Sequence, residues 1–159
     1  MDDWENMLHF AIEMIKQAKR SYAPDHIDER IAIVSLDHAT ELLMKSFLLK
    51  MDYFINEIDT DMIKKGIDRK TQLKNLLNEN KTISFMDALN LVCKLTDLDS
   101  SDKDVIVRFH KLRNEIQHKG MYLNLNETEK IGNFCPSLQI LYDKMFPKYS
   151  DVFPKLNFH

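Results

Sequence analysis

The chain has 159 residues and a mass of 18.8 kDa, which suffices for one domain that buries its own core. It contains only 3 Gly and 4 Pro, and long stretches without turn residues favour helices over a many-stranded β fold. Its two cysteines are too few for a disulfide framework or a four-ligand zinc site. These numbers predict an all-α domain.

Charge is unevenly distributed along the chain. Residues 1–60 carry a net charge of −6, residues 61–120 carry +3, and the remainder is neutral. Five cations lie close together between residues 64 and 74. A basic patch of this kind can attract phosphate groups, although lysines that only solvate a surface would give the same count.

The sequence predicts a cytoplasmic protein without membrane contact. The first residues, Met1 to Glu5, are acidic and unlike a signal peptide. The most apolar stretch, residues 31–51, contains acidic and basic side chains and is therefore not expected to span a membrane.

The first half of the chain predicts two long helices. Apolar residues recur at helical spacing from Asp3 to Tyr22, and the second helix, about 28–51, is apolar almost all round, which is typical of a central buried helix. Residues 52–82 are polar, with a short helix predicted over 70–77.

The second half predicts three further helices. The third begins after Ser84 as N-cap and ends near residue 95, and the fourth runs from residue 101 or 102 to His118. The fifth begins with an Asn126 cap and ends near residue 145, and Pro136 should kink it or move its start later. We thus expect a four- to five-helix up-down bundle in a single domain, with a helical core over 3–146 and an irregular C-terminal tail, 147–159.

The fourth helix has two different sides. At 100° per residue, one side is apolar and faces the core: Val105, Phe109, Leu112 and Ile116. The opposite arc is polar: His110, Arg113, Asn114, Gln117 and His118. One turn earlier that arc carries Ile106 and Val107, a pattern that predicts pairing with a second copy of the chain around a shared cleft.

Arg113, Asn114 and His118 are the residue types that metal-free RNA cleavage requires. Arginine binds phosphate oxygens, histidine transfers protons near neutral pH, and asparagine orients either group. Arg113 and His118 are about 140° apart around the helix, so they meet on one ligand only if the helix end unwinds or a second chain closes the cleft. A structural alternative remains, in which His118 caps the helix and Arg113 pairs with an acidic neighbour.

Two short motifs resemble those of a known family. The run from Arg113 to His118 is similar to the Arg-x4-6-His signature of the HEPN superfamily (higher eukaryotes and prokaryotes nucleotide-binding domains), in which a polar residue often follows the arginine. Upstream, Glu41 and Lys45 match its Glu-x3-Lys pattern, and the similar order of helices covers about residues 3–146. Glu41 lies on a charged stripe of the buried second helix, and Arg113 is its expected partner.

The resemblance implies a metal-independent endoribonuclease that cleaves single-stranded RNA as a homodimer, without a cofactor. Such domains occur in toxin–antitoxin and antiviral defence systems, so an antitoxin or regulatory protein is a further expected partner. The implied catalytic residues are Arg113, Asn114 and His118. The supporting residues would be Glu41, Lys45, His110 and Gln117, and the RNA-binding residues Lys111 and Lys119.

A second interpretation belongs to a different functional class. The same family includes members without nuclease activity, which bind nucleotides or proteins, so the chain could be a non-catalytic adaptor or a toxin–antitoxin partner.

No metal site is expected, because the histidines are not spaced as ligands of one ion. Cys93 and Cys135 lie in apolar runs and are expected to be unreactive core thiols.

Overall fold

The computed structural model describes residues 2–22, 29–51, 83–119 and 125–156, without the side chains of residues 29, 119 and 125–130. These residues form five α-helices and a 3₁₀ helix: α1 (Asp3–Ser21), α2 (Glu29–Lys50), α3 (Phe85–Thr96), α4 (Ser100–Lys119), α5 (Leu125–Met145) and the 3₁₀ helix Pro147–Val152. No β-strand occurs among them, which confirms the predicted all-α class. The predicted helix over 70–77 and the cations of residues 64–74 lie outside the described residues.

Helix α2 is the centre of the fold, as its apolar sequence predicts. It packs along α1 and also contacts α3, α4 and α5. Apolar side chains on one broad side of it are fully buried, among them Ile33, Leu36 and Leu43, whereas Ile31 on the remaining side is 49% exposed. The polar Thr40 is buried as well, and its Oγ1 donates a 2.7 Å hydrogen bond to the carbonyl of Leu36 in the preceding turn.

Short polar residues fix the ends of α3 and the beginning of α4. Ser84 caps α3 as predicted, because its Oγ accepts a 3.1 Å hydrogen bond from the backbone amide of Asp87. Asp97 ends the helix in a left-handed conformation with φ of 53°. Asp99 then accepts a hydrogen bond from the amide of Ser101, so α4 begins at Ser100, one residue before the expected start.

Helix α5 covers α4 and continues through its proline. It begins at Leu125, one residue before the expected Asn126 cap, and it ends at Met145 as predicted. Of the two effects expected of Pro136, a later start does not occur. Pro136 lies inside the helix and is exposed. The next residue, Ser137, joins the two helices by donating a 2.9 Å hydrogen bond to Asp102 of α4.

The C-terminal segment packs back onto α5. Its first part is the 3₁₀ helix, which non-helical backbone angles interrupt at Tyr149 (φ −123°, ψ 25°), so the tail is irregular as expected but contains helical turns. Phe153 follows it into the core. The Phe153 ring stacks on Tyr142 with 3.9 Å between centroids, and the Tyr142 hydroxyl donates a 2.7 Å hydrogen bond to the carbonyl of Tyr149. Of the helices described, none has both the length and the apolar character to cross a membrane.

Candidate functional site

A buried carboxylate on α2 organises the polar side of α4. Asp37 is only 1% exposed, and its Oδ2 lies 2.9 Å from Nδ1 of His110 and 3.4 Å from Nε of Arg113. Both partners belong to α4 and are largely buried, with side chains 14% and 19% exposed. A carboxylate removed from water requires such partners, so this contact fixes how α4 lies against α2.

His110 is held on its edge and on its face. Its Nε2 is 3.5 Å from Nδ2 of Asn114, while its ring stacks on Phe85 of α3 with 3.8 Å between centroids and 3° between planes. A neutral ring with the proton on Nδ1 satisfies both contacts, because Nδ1 then donates to Asp37 and Nε2 accepts from Asn114.

Arg113 and Asn114 form the outer part of the same group. Nη1 of Arg113 donates a 2.9 Å hydrogen bond to Oδ1 of Asn114. Nε of Arg113 forms an ion pair with Asp37 but no hydrogen bond, and among the described residues neither this Nε nor Oδ1 of Asp37 has a hydrogen-bond partner. We call Asp37, His110, Arg113 and Asn114 the Asp37 cluster; two of its buried polar atoms are unsatisfied, which is uncommon in a purely structural network.

The expected pairing of Arg113 with Glu41 is wrong. Glu41 lies 2.8 Å from Nζ of Lys45 and 3.9 Å from Nδ1 of His38, all on α2. Arg113 contacts Asp37 instead, which lies four residues before Glu41 on α2. Asp37 and Glu41 lie on one face of α2, and α4 contacts that face at Asp37, the more deeply buried of the two carboxylates.

The residues at the end of α4 do not join the Asp37 cluster. His118 and Gln117 are exposed, and no described contact links His118 to Arg113. This placement agrees with the predicted angle of about 140° between Arg113 and His118 around the helix axis. The side chain of Lys119 lies outside the described residues.

The predicted dimer patch is not available on the surface. Ile106 is fully buried in the core of its own chain, and Val107 is half-buried. The middle of this arc packs against two other helices, because His110 contacts Asp37 of α2 and Phe85 of α3. Ile106 and Val107 therefore do not form the predicted apolar surface for a second copy of the chain.

A groove of about 330 Å³ lies on the other side of α4, next to α5. Phe109 and Phe134 contribute to its lining and stack on each other with 3.8 Å between ring centroids. Arg108 and Lys111 also line the groove and are exposed, which places Lys111 away from the Asp37 cluster.

Asp37 and Phe85 are the site residues that sequence reasoning missed. Asp37 lies on the same charged stripe of α2 as Glu41, so the expectation of a buried partner applied to it as well. Phe85 carries no comparable signal, since its stacking on His110 depends on the packing of α3.

Other groups in the described part of the chain fall outside this site. No three His, Cys, Asp or Glu side chains there lie close enough together to hold a metal ion. Burial raises the pKa of the Cys135 thiol to about 12, and burial raises the pKa of Cys93 while the nearby Lys103 partly opposes this. Both shifts disfavour the thiolate. Cys135 is buried in the core as predicted, whereas Cys93 is only half-buried.

Comparison of the chain with family models, with curated proteins and with solved structures gives no match.

Proposed function

We propose that the protein is a metal-independent endoribonuclease of the HEPN type that acts on single-stranded RNA. The observation that carries the proposal is the position of Arg113, whose guanidinium is fixed by Asp37 and Asn114 yet remains 19% exposed. A planar cation held in one orientation and partly accessible to solvent suits the oxygens of a phosphodiester.

The reaction needs no nucleophile from the protein. The 2′-hydroxyl of the RNA attacks the adjacent phosphorus, its proton passes to a base, and the bond from phosphorus to the 5′-oxygen breaks. That oxygen leaves with a proton from an acid, so the products are a 2′,3′-cyclic phosphate and a 5′-hydroxyl. Arg113 would stabilise the negative charge that increases on the phosphoryl oxygens.

In this proposal His118 is the general acid or base, as the resemblance implies. It is exposed and therefore accessible to an RNA strand. Because Arg113 points to a different side of α4, the proposal includes a homodimer in which a second copy brings the two groups to one phosphate. Asn114 orients Arg113 through their 2.9 Å hydrogen bond, and His110 supports Asn114.

The second candidate is a non-catalytic module that binds a nucleotide or a protein, as an adaptor or an antitoxin partner. One observation favours it: the charge of Arg113 is already balanced by the buried Asp37, which weakens its attraction for a phosphate undergoing reaction.

The test is incubation of the protein with end-labelled single-stranded RNA in excess chelator, beside three variants. We expect fragments that end in 2′,3′-cyclic phosphate, with the rate reduced at least about 100-fold in His118→Ala. Arg113→Ala should lose cleavage as well. His9→Ala is the matched control, because His9 is an exposed histidine on α1, and it should cleave normally.

Cleavage that persists in His118→Ala, with circular dichroism showing the native helix content, would contradict the assignment of His118. RNA binding without cleavage, lost in Arg113→Ala but kept in His118→Ala, would establish the second candidate instead.

A further inference from the structure

A cation lies among three aromatic rings at the end of the bundle that carries the 3₁₀ helix. Lys50 is the last residue of α2, and its Nζ is 5.0 Å from the ring centroids of Trp4 and Tyr149 and 5.8 Å from that of Phe146. The Trp4 and Phe146 rings are nearly parallel, with 14° between their planes. The Tyr149 ring is steeply inclined to both, at 74° and 82°. We call these three rings the aromatic cage.

The cage is fixed by contacts that do not involve Lys50. The hydroxyl of Ser46 donates a 2.7 Å hydrogen bond to the carbonyl of Trp4. On the opposite side, the hydroxyl of Tyr142 holds the carbonyl of Tyr149 at 2.7 Å. A cage with such supports should keep its shape when the lysine leaves, and a preformed site binds its ligand with less loss of conformational freedom.

Phe146 gives the cage its buried wall. Its ring is fully buried and meets the edge of the Phe47 ring at 86°, with 6.1 Å between centroids. This wall is therefore part of the core, whereas Trp4 and Tyr149 are only half-buried. The cage thus has a rigid base and an accessible side.

Lys50 is exposed, so its flexible side chain can move into solvent without disturbing the core. We propose that Trp4, Phe146 and Tyr149 form a binding site for a quaternary ammonium group, with Lys50 as an internal occupant that the ligand displaces. The presence of an alkylammonium among the rings shows the chemistry that the site accepts. A quaternary ammonium is less strongly hydrated than a primary one and presents methyl groups to the rings, so it gains more on entering.

This inference does not depend on the proposed ribonuclease activity, since the aromatic cage shares no residue with the Asp37 cluster. It also differs from a purely structural role for Lys50, in which the lysine only ties α2 to the first turn of α1 and to the C-terminal segment. That role predicts no affinity for an added cation.

The experiment follows the fluorescence of Trp4, the only tryptophan in the chain, during titration with choline chloride, a quaternary ammonium salt, at constant ionic strength. We expect a saturable change, with a Kd about tenfold lower in Lys50→Ala because the internal competitor is gone. Tyr149→Leu, which removes one wall of the cage, should abolish the saturable change. The neutral isostere 3,3-dimethylbutan-1-ol should give none in any variant.

The absence of a saturable change in folded Lys50→Ala would overturn the proposal, as would an equal response to the neutral isostere. If Lys50→Ala does not fold, Lys50→Met takes its place, because its unbranched side chain keeps the apolar contacts of the lysine and removes the charge. The same two results in Lys50→Met would overturn the proposal.

Discussion

Asp37 and His110 are 73 residues apart in the sequence, and 2.9 Å separates Oδ2 of the first from Nδ1 of the second. Because Asp37 is almost completely buried, this contact connects the middle of α2 to the middle of α4 inside the protein. Arg113 shares the same carboxylate oxygen one turn further along α4. Arg113, the residue proposed to bind the scissile phosphate, is therefore positioned by a buried acid.

Asp37→Asn should destabilise the protein by about 3 kcal/mol, because it leaves the charge of Arg113 without its buried partner. The free energy of unfolding from urea titration measures this loss. Glu13→Gln is the matched control: Glu13 pairs with Lys16 at 3.0 Å on the exposed face of α1, and its loss should cost less than about 1 kcal/mol. Equal effects of the two substitutions would show that burial does not strengthen the Asp37 contacts.

Phe153→Ala should cost about 3 kcal/mol, since the ring is buried and stacks on Tyr142 at 3.9 Å. The neighbouring Val152 is 47% exposed, so Val152→Ala should change stability by less than about 0.5 kcal/mol. Thermal or urea unfolding of the two variants measures the contrast. A small effect of Phe153→Ala would mean that the C-terminal segment adds little to the core.

Stability should decrease at alkaline pH. Burial raises the pKa of Cys135 from 9.0 to about 12 and is the main cause that raises the pKa of Tyr142 from 10.0 to about 12. The native state therefore keeps protons that the unfolded chain releases. This contribution to stability is complete below pH 9 and is lost as the pH rises to about 12.

The free energy of unfolding, measured in urea between about pH 7 and about pH 11, tests this dependence. In Cys135→Ala one of the groups with a raised pKa is missing, so the decrease above pH 9 should be shallower. A stability that stays constant over this range in the unmodified protein would contradict the prediction.

The helices could be predicted from the sequence because their signals are local. Apolar spacing located α1 and α2 to within one or two residues, and the Ser84 cap located the start of α3. The prediction was less accurate at the start of α5, where the cap signal at Asn126 and the proline at position 136 indicated different starting residues. Asn126 resembled an N-cap, yet the helix already begins at Leu125, and Pro136 did not shorten it.

The candidate site was predicted in part. The sequence identified Arg113, Asn114 and His110 as neighbours on one arc of α4, and the structure places all three in the Asp37 cluster. The predicted free face of the helix was wrong, because Ile106 on that arc is buried. A single helical period shows which residues share a side, but not whether that side meets water or another helix.

The sequence by itself determined the all-α class, the central position of α2 and the polar arc of α4, because all three follow from the order and spacing of apolar residues along one chain. Only the tertiary structure decided that Arg113 pairs with Asp37 rather than Glu41. These two carboxylates lie one turn apart on the same face of α2 and are equivalent by spacing. The choice between them depends on where α4 crosses α2, which is set by the packing of side chains from distant parts of the chain.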